Sequence, residues 1–156
     1  MIEIKFPFKS SQRELFRSGQ LIDEWAKRYP NLFDERDLEI TKNQTHYHFF
    51  EWLGAVLLYE ATGYLSLIEK YETKSHTRKL EIFEKTVSQA VFEDVLANRT
   101  GVPDLFVYAP DYSDWFFCEI KGLKDLLRPH QLDRLEELKA ISGKDYGIMQ
   151  FQEIKL

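Results

Sequence analysis

The chain has 156 residues, 44% apolar and 15% aromatic, enough to bury roughly two thirds of its unfolded surface, which excludes a chain disordered throughout. Twenty-one Lys and Arg against 26 Asp and Glu give a net charge of −5, which argues against a general polyanion-coating protein and leaves room for a small local anion site. A single cysteine, Cys118, excludes a disulfide framework and a multi-cysteine zinc site. Apolar runs such as residues 52–59 are far short of a membrane span, and the first five residues lack the apolar core of a signal peptide, so neither is expected.

The first half reads as helical. Ser11-Gln12-Arg13-Glu14 has the form of a capping box, with Ser11 as N-cap of a helix that Pro30 closes. Residues 46 to about 59 predict a second helix, apolar over most of its surface and therefore buried on several sides. Gly63 breaks it before a continuation over residues 64–71. A third helix is expected over residues 78–97, where Leu80, Phe83, Val87, Ala90, Val91 and Val95 keep helical spacing.

After Gly101 the pattern changes. Residues 105–108 and 115–121 read as strands joined by a turn at Pro110-Asp111-Tyr112-Ser113-Asp114, a hairpin. Pro129 suits the first turn of a helix that carries Leu132, Leu135 and Leu138 and ends near Gly143, and residues 146–154 make a last strand. With no repeat or low-complexity linker, the expectation is one α/β (α+β) domain over residues 1–156. Residues 1–98 would be mainly helical, and 99–156 would supply the hairpin, helix and strand of a small mixed sheet flanked by helices.

The chemistry-bearing residues lie in that second part. Glu119 and Lys121, two apart on a strand, project from one face, while Cys118 and Ile120 point into apolar packing. Asp104 begins the partner strand, where pairing brings its carboxylate beside Glu119. Two carboxylates and an ammonium then converge at one end of a hairpin. Hard oxygen donors of this kind suit Mg²⁺ or Mn²⁺. Such an ion lowers the pKa of a water and steadies charge on a phosphodiester, with Lys121 orienting the water or neutralising developing charge. Gln131 sits four residues before Leu135 and seven before Leu138, so a polar amide falls on the core-facing stripe of the next helix.

In their order, Gly101-x-Pro103-Asp104-Leu105, Glu119-Ile120-Lys121-Gly122, Lys124-Asp125-x-Leu127 and Gln131, followed by Leu135, Leu138 and Gly143, resemble the virus-type replication-repair nuclease (VRR-NUC) branch of the PD-(D/E)XK nucleases. The resemblance implies a PD-(D/E)XK nuclease-like fold, Asp104 and Glu119 as ligands of Mg²⁺ or Mn²⁺ with the Ile120 carbonyl as a backbone ligand, Lys121 as catalytic lysine, and Gln131 lining the site. It also implies a glutamate from an upstream helix. Glu60, on the stripe of Phe49, Leu53, Leu57 and Tyr64, is the choice, with Glu51 and Glu93 as alternatives.

Two features depart from that pattern. The superfamily core has four strands after its first helix and three are identifiable, so the missing strand is sought in residues 2–6 or within the third predicted helix. Between Arg99 and Lys144, seven Lys and Arg face eight Asp and Glu, so no broad basic apron surrounds the site. Lys124, Arg128 and Arg134, with Lys74, Arg78 and Lys79 from an interhelix loop, are the candidate contacts to a nucleic-acid backbone. His46 and His48 are two apart, a spacing that does not face one way on a helix, and are read as helix surface.

The resulting expectation is a metal-dependent DNA endonuclease. The resemblance extends to two contexts: a toxin or effector nuclease domain, delivered by a bacterial secretion system to a cytoplasmic site of action and blocked by an immunity protein, or a dimeric, structure-specific repair enzyme acting on branched DNA. The toxin context is preferred. The alternative from another class is a catalytically silent nuclease fold that binds a protein, with Lys121 salt-bridged to Glu119.

Overall fold

The computed structural model describes residues 2–44, 48–123 and 125–154. Five strands form one mixed sheet in the order β1-β5-β4-β3-β2. They are β1 (Ile2–Lys9), β2 (Leu65–Ile68), β3 (Leu105–Tyr108), β4 (Trp115–Lys121) and β5 (Gly147–Ile154). The β2–β3 and β3–β4 pairs are antiparallel, and β4–β5 and β5–β1 are parallel. Helices α1 (Ser10–Arg17), α2 (Gln20–Arg28), α3 (Glu35–Asn43) and α4 (Phe49–Thr62) follow β1; α5 (Thr77–Thr86) and α6 (Gln89–Ala97) separate β2 from β3; α7 (Pro129–Ser142) is the crossover between β4 and β5. The mixed α/β class expected from the sequence is the class that forms.

Strand alternation sorts the apolar residues into two cores. Leu105, Val107, Cys118, Ile120, Met149 and Phe151 pack against the α4 residues Phe49, Trp52, Leu53 and Val56. From the other face, Phe106, Phe117 and Ile148 meet Phe83 of α5, Val91 and Val95 of α6, and Leu135 and Leu138 of α7. Phe117, Glu119 and Lys121 alternate onto this second face. The close approach of α4 to the sheet rests on Gly54, where a Cβ would lie 2.9 Å from Ile120 Cδ1 and 3.5 Å from Met149 Sδ.

Several element expectations are corrected. The first predicted helix is two: Gly19, at φ 84°, breaks it between α1 and α2, a conformation glycine enters without the Cβ penalty. Its start moves as well. Gln12, not Ser11, supplies the cap, its Oε1 accepting from the Lys9 N–H at 3.1 Å. The third predicted helix is also two, because Ser88 restarts the chain as N-cap of α6, its hydroxyl accepting from the Val91 N–H. The expected helical continuation over residues 64–71 is instead the strand β2, whose run Leu65-Ser66-Leu67-Ile68 pairs along β3. This supplies the strand missing from the sequence reading, while residues 2–6 belong to a further strand at the other edge, so the mainly helical part carries both edge strands. Helix α3 had no counterpart in the expectation. Its N-cap is Asp34, whose Oδ1 accepts from the Asp37 N–H at 2.6 Å.

Candidate functional site

One end of the sheet collects the polar groups. The antiparallel register sets Leu105 opposite both Ile68 and Cys118, so the end of β2, the residue before β3 and the end of β4 lie side by side. Pro103 and Asp104 are held there by backbone bonds: Tyr71 Oη donates to the Pro103 carbonyl at 2.7 Å, and the Glu69 N–H donates to the Asp104 carbonyl at 3.0 Å. Asp104 Oδ2 accepts from the Ile120 N–H at 2.8 Å. That bond carries the β3–β4 pairing one step past its last residue pair and turns the aspartate across the mouth of the hairpin.

Glu119 is buried, at 5% exposure, and shares a side-chain hydrogen bond with Asp104. Burial, the bond to Asp104 and the Asp104 charge hold its pKa well above the carboxylate range, against the opposing pull of Lys121. Lys121, 8% exposed, donates from Nζ to Gln131 Oε1 at 2.9 Å. The same oxygen accepts from the Arg128 N–H at 3.0 Å, closing the first turn of α7. Four residues read from the sequence therefore meet: Asp104, Glu119, Lys121 and Gln131. Ile120, considered for its carbonyl, is buried on the opposite face and contributes the N–H that fastens Asp104.

Of the upstream glutamates, Glu51 is the one whose carboxylate feels the charge of Asp104, while Glu60 lies elsewhere. Glu51 lies one turn before Gly54, on the stripe of α4 that faces the sheet. Burial raises its pKa to about 7, with further contributions from the charges of Asp104, Glu69 and Asp125. Glu60, about two and a half turns on and so on the other side of α4, instead accepts from the Tyr29 hydroxyl at a separate cavity of about 790 Å³ lined by α2 and α4 residues such as Trp25, Arg28 and Leu53. Glu93 bonds to Gln89 on the exposed face of α6.

The expected backbone contacts divide. Arg128 is exposed beside Gln131, and Lys74 is exposed in the loop before α5. Arg134, 7% exposed, is engaged by Asp94 at 2.7 Å and Glu137 at 3.2 Å. Lys79, 4% exposed, is locked between Asp37 at 2.7 Å and the Ile68 carbonyl at 2.9 Å. Arg78 pairs with Asp34 and bonds to Tyr108, at the far end of β3 from Asp104. As folded, Arg134 and Lys79 are structural ties, and Arg78 is engaged by Asp34 at 3.1 Å. Lys124 and His46 lie outside the described residues.

Several groups at the site were not singled out in the sequence. A cavity of about 230 Å³ beside Asp104 is lined by Glu69, Lys70, Glu72 and Arg99. Glu72 Oε2 is buried with no hydrogen-bond partner. His48, read as helix surface, sets Nδ1 3.5 Å from Glu69 Oε1 and 3.9 Å from Glu51 Oε2. The only local signal for these acids is their position after an apolar run, which gains meaning once that run is known to be β2.

The donor set fits a divalent cation. Burial and the neighbouring Asp104 hold the Glu119 pKa up against the pull of Lys121, and burial raises that of Glu51. Oxygen donors crowded in this way exchange protons for a hard cation. Among the described residues no helix is long and apolar enough to cross a membrane. No protein-family model matches the chain, and no curated protein matches it.

Proposed function

We propose that this chain is a metal-dependent DNA endonuclease of the PD-(D/E)XK type, with its site at the open end of the β3–β4 hairpin. The observation that carries the reading is the meeting of Asp104, Glu119, Lys121 and Gln131, four residues spread over 28 positions, with Glu51 of α4 facing the same carboxylates. Asp104 and Glu119 would hold Mg²⁺ or Mn²⁺, with the Glu51 charge close enough to act on Asp104. A bound cation supplies Lewis acidity toward the phosphodiester and the attacking water.

The chain's own groups do the rest. Asp104 is oriented by the Ile120 N–H, so one of its oxygens is fixed and the other is left for a ligand. Glu119, buried and with its pKa raised, would give up its proton when a cation takes its place. Lys121 is held by a neutral amide rather than by a full ion pair, which leaves its ammonium able to donate to a phosphoryl oxygen as charge develops. Gln131 is a positioning residue: it ties Lys121 to the first turn of α7. The crowding of acids favours strict metal dependence, because without a cation the site repels a phosphate.

The reading is tested by incubating the protein with plasmid, linear duplex and branched DNA in Mg²⁺, Mn²⁺ or EDTA, beside Asp104→Asn and Lys121→Ala. Cutting that needs metal and is lost in both folded variants supports it; general duplex cutting favours a toxin context and junction-selective cutting a repair context. No cutting by the wild-type protein overturns it in favour of a silent, protein-binding nuclease fold. Cutting that survives both substitutions moves the active site elsewhere.

A further inference from the structure

His48, Glu51 and Glu69 come from three places, the N-cap of α4, its first turn and the residue after β2, yet their ligand atoms all lie within 4.8 Å of one another. Among the described residues this is the set of three His, Cys, Asp or Glu side chains placed closely enough to share one ion. Neither Asp104, Glu119 and Glu60 nor Asp104, Glu119 and Glu51 is assembled in this way. The three side chains are 20–34% exposed, open enough for an ion to enter and to keep waters of its own.

We infer that His48, Glu51 and Glu69 form a second cation site, distinct from the Asp104–Glu119 cluster but joined to it through Glu51, and that it takes a first-row transition cation in preference to Mg²⁺. The imidazole decides the class. Mg²⁺ is served by oxygen donors and water, whereas a neutral imidazole nitrogen favours Mn²⁺ and the ions that follow it in the affinity series. The strongest charges acting on Glu51, those of Asp104, Glu69 and Asp125, are all negative, so a cation here relieves repulsion at both sites. The Glu69 N–H is bonded to the Asp104 carbonyl, and an ion held by Glu69 would therefore stiffen the backbone that carries Asp104. The site stands or falls independently of whether the chain cuts DNA.

The test is an electron paramagnetic resonance titration of Mn²⁺ into the whole protein in the presence of excess Mg²⁺, which fills oxygen-only sites. Wild-type protein is expected to retain one Mn²⁺, and so is Asp104→Asn. His48→Asn and Glu69→Gln should each weaken that Mn²⁺ at least about tenfold, the lower end of what loss of even a supporting group costs a metal site. His48→Asn is chosen because His48 has φ 65°, a conformation asparagine tolerates, and circular dichroism checks that each variant stays folded. Loss of all Mn²⁺ to Mg²⁺ in the wild-type protein, or unchanged Mn²⁺ affinity in both His48→Asn and Glu69→Gln, overturns the site. A protein that holds this Mn²⁺ yet leaves every DNA intact keeps the site and loses the nuclease reading; one that cuts DNA but holds no such Mn²⁺ does the reverse.

Discussion

Lys121 ends in a 2.9 Å bond to Gln131 Oε1 with little water around it, and that one contact sets both a stability and an activity expectation. Replacing Gln131 by Leu leaves a buried ammonium without its acceptor, which costs about 1–3 kcal/mol, measurable as a lower urea midpoint at unchanged slope. On the proposed nuclease reading, cleavage by Gln131→Leu should fall with kcat rather than KM, since Lys121 remains present but loosely aimed. Glu51 carries the pH expectation. Its native pKa of about 7 exceeds the 4.5 of a free glutamate, so the native state binds more protons than the unfolded chain between those values. Stability from this group is complete below about pH 4.5 and is lost as pH rises through 7. Glu119, raised for the same reason, extends the loss upward. His76, whose pKa is lowered by burial, acts oppositely, so the comparison that matters is with Glu51→Gln. Metal-free wild-type protein should lose thermal stability from about pH 5 to about pH 8 relative to Glu51→Gln, by up to about 3 kcal/mol. Parallel curves would refute the burial argument for Glu51.

At the scale of elements, the hairpin and α7 were legible because each carries its own local signals: the aromatic and apolar run of β4, the turn at 110–114, and Pro129 at the start of a helix that Gly143 closes. The strand β2 was not. Leu65-Ser66-Leu67-Ile68 follows a long apolar helix, and four residues fit a helical or an extended repeat equally well; only pairing with β3 decides between them. That Glu51 rather than Glu60 lies toward Asp104 was hidden for a related reason. An α4 that is apolar all round has no sequence-visible buried side, and the side that faces the sheet is set by Gly54 meeting Ile120 and Met149. Likewise Lys79 reads as part of a basic loop run but ties α5 to Asp37 of α3 and to the end of β2. Breaking that buried pair with Lys79→Met should cost about 3–5 kcal/mol, because Asp37 is left charged and buried, whereas Lys79→Met with Asp37→Leu should recover much of the loss. Chemical denaturation of the two variants checks this. Equal destabilisation of single and double variants would mean that the bond to Ile68, not the ion pair, holds the joint.

For the whole molecule, the balance of charge separates binding a metal from binding DNA. A chain at −5 gathers Glu51, Glu69, Glu72, Asp104 and Glu119 around one sheet end, and this favours cations before it favours any polyanion. The first consequence is thermal. A ligand that binds only the native state adds RT ln(1 + [L]/Kd), about 2.7 kcal/mol at a hundred times Kd, so saturating Mg²⁺ should raise the melting temperature, and an Asp104→Asn, Glu119→Gln double variant should lose most of that rise. The second consequence concerns salt. With Arg134 and Lys79 already engaged inside the protein, the cations open to a backbone phosphate near the carboxylates are Lys70 and Arg99, which line the cavity beside Asp104, and exposed Arg128 beside Gln131. Each phosphate neutralised contributes about −0.9 to the slope of log affinity against log salt, so about three contacts give a slope near −3, far shallower than that of a protein wrapped around a duplex. Measured in Ca²⁺, which occupies oxygen sites without supporting rapid hydrolysis in a site tuned for a smaller ion, the slope should flatten by about one unit in each of Arg128→Ala and Arg99→Ala. A slope twice as steep would show that a basic surface other than this one carries the DNA, and the carboxylate cluster would then have to be reached from that side.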